Sequence, residues 1–333
     1  MNCYNHHSYA CRLLTIFSGL FAACCLYSSL ATAAATFPTR PLRLIVPYAP
    51  GGNIDISARI IATPLADLLG QSVVVDNRPG AGGNLGAALV AKAAPDGYTI
   101  LVGSSGPLSV NPVIFKSLPY DSLKDFAPIS TIQAVPLVVI AGPKSSINTI
   151  AEMVAGARAR PGKLTVASSG AGTTNHFAIE MLGNMANVQF LHVPYKGSGP
   201  ALSELLGGQV ETMVDQLSAS IGYIRDGRFK VLAVTTLQRS PSLPNTPTLD
   251  ELGYKGYQAS TLLGLLASAG TPPATIKILN TAVRHVMDGP ASERFRGLGA
   301  TPGASSPEEF TTRIREELQQ WQVLVKKLNL KFE

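Results

Sequence analysis

Leu42-Arg43-Leu44-Ile45-Val46-Pro47-Tyr48-Ala49-Pro50-Gly51-Gly52-Asn53 carries the reading that decides the fold. An apolar run is stopped by Pro47, a Pro- and Gly-rich loop follows, and Ala58, Ile61, Leu65, Leu68 and Leu69 then recur at helical spacing. Pro64 falls inside that helix, where it removes a backbone hydrogen bond, so Thr63-Pro64 predicts a kink or restart. The same strand–loop–helix order returns at residues 164–167, 168–174 and onward through Met181. Around these units, apolar runs at 72–75, 98–102, 136–140, 190–193, 211–214, 230–235 and 262–267 alternate with helical patterns. That alternation is the signature of an α/β fold. The longest helical patterns, 276–287 and 307–328, close the chain. In the last, Phe310, Ile314, Leu318, Trp321 and Leu324 form one stripe, which makes Trp321 a core residue.

At 333 residues with 14% charged side chains, the chain is long enough and apolar enough to bury a large core. Its net charge of +6 comes from dispersed residues. Lys326, Lys327 and Lys331 lack interleaved aromatics and read as a solvated helix face, so no nucleic-acid partner is expected. The four cysteines (Cys3, Cys11, Cys24, Cys25) all lie in the first 25 residues. That stretch reads as a secretory signal: Arg12, an apolar run over 13–30, then small residues over 31–35. The run is also long enough for a membrane anchor, though Ser18, Gly19, Ser28 and Ser29 weaken it. Lipidation at Cys24 or Cys25 competes too, against a poorly placed Phe21. On the cleaved reading, residues 1–33 leave with every cysteine. Thiol catalysis, thiolate zinc and iron–sulfur clusters are then excluded from the mature chain.

Enzyme motifs fail on spacing. In Gly80-Ala81-Gly82-Gly83-Asn84-Leu85-Gly86 the sixth position of a dinucleotide fingerprint is Leu85, so a packing turn is the better reading. Gly103-Ser104-Ser105-Gly106 and Ser168-Ser169-Gly170 lack the nucleophile-elbow spacing. His176 and His192 read as structural, and with His285 alone beside them a metal site is not expected. No catalytic residue, metal or cofactor is assigned, and the chain reads as no enzyme. What remains is a pair of polar loops, 47–55 and 168–176, each leading from a strand end into a helix. Helix N-termini leave N–H groups unpaired and suit a carboxylate or phosphate. Gly51, Gly52, Gly170 and Gly172 allow close backbone approach, while Ser169, Thr173 and Thr174 supply hydroxyls. The competing reading is that both loops merely cap helices, with Asp55 the N-cap of the first.

The chain resembles the substrate-binding proteins of tripartite tricarboxylate transporters, the Bug-type family. The resemblance rests on Tyr48-Ala49-Pro50-Gly51-Gly52 with Asp55, Val74-Val75-Asp76-Asn77-Arg78-Pro79-Gly80-Ala81-Gly82-Gly83-Asn84, and Ala91-Lys92-Ala93-Ala94-Pro95-Asp96-Gly97-Tyr98-Thr99. Further on it rests on Leu118-Pro119-Tyr120-Asp121, Gly170-Ala171-Gly172-Thr173-Thr174-Asn175-His176, Val193-Pro194-Tyr195-Lys196-Gly197, Leu205-Leu206-Gly207-Gly208-Gln209-Val210 and Leu232-Ala233-Val234-Thr235. Each motif is short, but their joint order is specific and spans residues 41–322. The resemblance implies an α/β, two-domain periplasmic-binding-protein fold of type II-like form. Two crossing strands, 137–140 and 262–265, would flank a ligand cleft, with domains at 34–137 plus 262–333 and at 138–261.

It further implies a periplasmic monomer that closes on a small carboxylate and delivers it to membrane transporter subunits. The alternative is a sensor that presents the bound ligand to a signalling protein. The ligand residues carried over are Tyr48, Ala49, Gly52, Asn53, Asp55, Ser104, Ser105, Ser169, Gly172, Thr173, Thr174 and Asp215. Asn53-Ile54 and Thr261-Leu262-Leu263 depart from the family pattern and bear on ligand identity. Terminal sequencing of the exported protein should find a mature start at Ala34 or Thr36; a lipidated start at Cys24 would overturn the cleaved-signal reading.

Overall fold

The computed structural model describes residues 37–329; the stretch expected to be a secretory signal, with the four cysteines, lies outside them. The first unit runs from β1 (Leu42–Val46) into α1 (Asn53–Leu69) and β2 (Val73–Asn77). Helix α2 (Asn84–Ala91) leads to β3 (Thr99–Ser104), and a single wide π-helical turn, Gly106–Val110, follows. The long strand β4 (Phe126–Ala141) then opens a second series. It contains α3 (Ile150–Ala159), β5 (Thr165–Ser168), α4 (Thr174–Ala186), β6 (Leu191–Pro194) and α5 (Ser198–Gly207). It continues through β7 (Thr212–Gln216), α6 (Leu217–Arg225) and β8 (Lys230–Val234). The chain closes with β9 (Ser260–Ser268), α7 (Pro273–Met287), α8 (Pro290–Gly297), the short β10 (Thr301–Pro302) and α9 (Pro307–Leu328).

The sheet order is β2-β1-β3-β9-β4-β7-β5-β6, with β8 and β10 also paired to β4. Strand β1 is parallel to β2 and β3, and β5 is parallel to β6 and β7. Antiparallel β9 and β4 join these two parallel sets. Up to Pro136, β4 pairs with β9 and β10; from Leu137 it pairs with β7 and β8. Pro136, opposite Ser260, sits where the partners change, and the register shifts after Pro128. A residue without an N–H is tolerated at such breaks in a ladder.

The strand expected at 136–140 is thus only the end of β4. Its first ten residues escaped the hydrophobic pattern because Ser130, Thr131 and Gln133 are buried polar residues. Tertiary partners hold them: Thr131 Oγ1 donates to the Gly303 carbonyl, Ser130 Oγ accepts from Ser305 N, and Gln133 Nε2 donates to Asn53 Oδ1. The expected break at Pro64 is also absent, since α1 runs unbroken for 17 residues. Its buried stripe of Ala58, Ile61 and Leu65 continues past Pro64, although Leu68 turns out to solvent. Packing of that stripe outweighs one missing bond.

Two buried clusters flank the sheet. One gathers Ile45, Val90, Leu101, Leu266, Phe310 and Ile314; the other gathers Val139, Met153, Phe177, Met181 and Trp321. Helix α9 contributes to both, with Trp321 packed 4.5 Å from the Phe177 ring as a core residue. Gly264 in β9 marks where α9 presses closest: an added Cβ would lie 2.4 Å from the Phe310 ring and 2.7 Å from the Ser130 carbonyl. Gly264→Ala should therefore cost about 1–3 kcal/mol, read as a lowered melting temperature.

Candidate functional site

The loop after β1 is braced from behind. Asp55 accepts from Gly51 N at 3.0 Å, from Arg59 Nε at 3.1 Å and from Asn77 Nδ2 at 3.0 Å. Burial opposes its ionisation, but the guanidinium and the N–H donors outweigh it and hold the carboxyl below its ordinary value. Asp55 is therefore not the N-cap. That position is Gly52, and no side chain caps α1. The helix opens with Asn53, whose Oδ1 accepts from Gln133 Nε2 and Ser218 Oγ while its buried Nδ2 has no partner. Tyr48 lies over the loop. Its hydroxyl donates to the Gly82 carbonyl at 3.1 Å and stands 3.5 Å from Ser104 Oγ; burial pushes it up to about 12, leaving a neutral hydroxyl.

The second loop follows β5. Thr173 Oγ1 donates to the Gly170 carbonyl at 2.7 Å and accepts from His176 N, so it caps α4. Gly172 N donates to His176 Nδ1, and the His176 ring stacks on His192 at 4.0 Å. Burial, with His176 beside it, pushes His192 down to about 3, and its Nε2 lies 2.6 Å from Ser168 Oγ. The histidines thus brace the loop. The Cα of Gly172 is closely packed: an added Cβ would meet Asn111 Oδ1 at 2.3 Å and the Phe115 ring at 2.7 Å.

Each loop meets a neighbouring segment through backbone, the first at residues 196–199 and the second at residue 82. Ala49 N donates to the Lys196 carbonyl at 2.8 Å. A Cβ on Gly82 would fall 2.0 Å from the Ala171 carbonyl oxygen, and one on Gly199 2.3 Å from that of Pro50. Beside this seam lies a cavity of about 200 Å³ lined by Tyr48 and residues 80–83, 169–171 and 194–196. Lys196 is its one charged lining residue. The volume falls below the range of roughly 300–1,000 Å³ for drug-sized ligands, which restricts an occupant to a small molecule. Deeper in, Asp215 accepts from Ser198 Oγ and Ser220 Oγ. Burial raises its carboxyl to about 6, against those hydrogen bonds. Among the described residues, no group of three metal-ligating side chains is placed to hold a metal ion.

These surroundings match a family. Residues 57–330 fit the tripartite tricarboxylate transporter family receptor. The chain belongs to that family. It is 39% identical to the protein BugT of Bordetella pertussis over 90% of this chain and 92% of the relative. The solved periplasmic binding protein BugD superposes with a TM-score of 0.86 at 36% identity, covering 89% of this chain and all of that one. A Rhodopseudomonas palustris protein with adipate, Rpa4515, gives 0.85 at 35% identity, over 89% of this chain and 99% of that one. MatC from the same organism, with bound malate, gives 0.84 at 33%, over 87% and 100%. The fold is that of the periplasmic binding proteins.

Within this receptor fold, the expected residues divide. Tyr48 and Ser169 line the cavity, Ala49 makes the seam, Ser104 stands beside Tyr48, and Gly52 packs against Ser198. Asn53 is bonded to Gln133 and Ser218, and Asp215 to Ser198 and Ser220. Asp55, Gly172 and Thr173 hold the loops from behind, Thr174 is buried as the first residue of α4, and Ser105 turns away to Glu317. Residues 80–83, read above as a packing turn, form a cavity wall. Lys196, Ser198, Gln133 and Ser218 were not singled out; only Lys196 had a signal, inside the Pro194-Tyr195-Lys196-Gly197 motif. Gly82 has φ +63°, where a side chain costs about 1–2 kcal/mol, and its Cβ would strike backbone. Gly82→Ala should hold the loops apart and weaken ligand binding about tenfold or more, as read by calorimetric titration.

Proposed function

We propose that this chain captures a small carboxylate in the periplasm and delivers it to the membrane subunits of a tripartite carboxylate transporter. The observation that carries this reading is the start of α1: an uncapped 17-residue helix with the buried, unpartnered Asn53 Nδ2 at its first position. An anion placed there gains unpaired N–H groups and the positive end of the helix dipole. Lys196, the charged residue of the neighbouring cavity, supplies a counter-charge for a second carboxylate. The malate and adipate held by the relatives are acids of this kind.

In this reading, residues 34–137 with 262–333 and residues 138–261 act as two lobes that close on the ligand. Closure brings the glycine seam together and excludes water, which strengthens each charge-assisted bond. The site binds and releases its cargo and performs no covalent step. Malate or adipate at about 100 times Kd should stabilise the fold by roughly 2.7 kcal/mol, raise the melting temperature and reduce the scattering radius. If both acids leave these unchanged while a sugar shifts them, the ligand class is wrong.

A further inference from the structure

Ser105 leaves the ligand site for a partner far along the chain. Its hydroxyl donates to Glu317 Oε1 at 3.1 Å and accepts from Leu262 N at 2.9 Å. Glu317 belongs to α9, and its other oxygen, Oε2, lies 2.7 Å from Ser109 Oγ. Ser109 Oγ is also 2.8 Å from the Ser105 carbonyl. Ser109 has a single proton, so it cannot donate to both oxygens. If Glu317 carries a proton on Oε2, every contact is satisfied. Ser109 then donates to the Ser105 carbonyl, Glu317 donates to Ser109, and Oε1 accepts from Ser105.

The segment held in this way presses on the site. Ser104 Oγ is 3.5 Å from the Tyr48 hydroxyl. A Cβ on Gly106 would come within 3.1 Å of the same hydroxyl and 3.6 Å of the Gly172 carbonyl oxygen. We propose that Glu317 is a positioning residue for the ligand site: as a neutral acid it ties α9 to the wall from Ser104 to Ser109, and its ionisation weakens ligand binding.

The surroundings favour the neutral form. The turn Gly106–Val110 and strands β4 and β9 contain no ionisable residue. Helix α4 carries His176 and Glu180, which line a different groove. The buried Tyr257 commits its hydroxyl to the Ala178 carbonyl. On α9 itself, Arg313 favours the anion, while Glu316 and Lys327 line the groove of about 670 Å³ whose floor Glu317 reaches. Glu317 as a whole is half-buried. Burial raises that carboxyl from 4.5 to about 7, against the serine hydrogen bonds and Arg313. A raised value means the stabilising contribution is full below about 4.5 and is lost as pH climbs through about 7.

Glu317→Gln mimics the neutral acid, accepting from Ser105 and donating to Ser109, whereas Glu317→Ala removes the tie. The first measurement is melting temperature against pH without ligand. The wild type should lose stability between about pH 5 and pH 8 relative to E317Q, with Asp215 common to both. The second is calorimetric affinity for malate and adipate, which rests on the carboxylate reading above. From about pH 6 to pH 8.5 the wild type should weaken about fivefold or more relative to E317Q, Asp215 titrating alike in both, and E317A should be weaker than both at pH 6. Parallel profiles for wild type and E317Q in both measurements, or E317Q as weak as E317A, would overturn the proposal. So would a wild-type affinity that ignores pH while its stability tracks it. If neither acid binds the wild type at any pH, the carboxylate reading fails, and the stability profiles alone decide the state of Glu317.

Discussion

The site depends on backbone meeting backbone. Ala49 N reaches the Lys196 carbonyl, Gly82 lies against Ala171, and Gly199 lies against Pro50, with no room for a Cβ at either glycine. Glycine costs conformational entropy wherever it is fixed, so such a seam needs support from outside itself. Asp55 supplies it for the first loop, through Gly51 and Asn77; Thr173, His176 and Ser168 supply it for the second. The polar side chains around the loops are therefore mostly spent on holding backbone in place.

Two elements tie the halves of the sheet together. Strand β4 changes partners at Pro136, and α9 contributes Phe310 and Ile314 to one buried cluster and Trp321 to the other. Behind the seam, Asn53, Gln133, Ser57 and Ser218 form a buried network joining α1, β4 and α6. In a low dielectric such hydrogen bonds are strong and unpaired atoms costly, and two atoms of this network, Asn53 Nδ2 and Gln133 Oε1, are left without a partner.

Much of the fold was legible because local rules and tertiary demands agreed. The apolar runs became strands, Phe310, Ile314 and Trp321 became core, and the motif order matched the receptor family. The readings that failed share a cause. The first part of β4 hid behind Ser130, Thr131 and Gln133, whose burial depends on partners far along the chain. Asp55 looked like a cap because it stands near a helix start, yet Asn77 and Arg59 draw it behind the loop.

By itself, the sequence determined the α/β alternation, the absence of a spaced catalytic or metal motif, and two glycine-containing loops at strand ends. These follow from periodicity and from what proline and glycine permit locally. Only the tertiary structure decided which hydroxyls remain for a ligand. Ser104 and Ser105 are adjacent and alike, yet one faces Tyr48 and the other faces Glu317. Ser104 ends β3 while Ser105 already has helical backbone at the start of the next turn, and no local rule says which of the two will meet a helix 212 residues away.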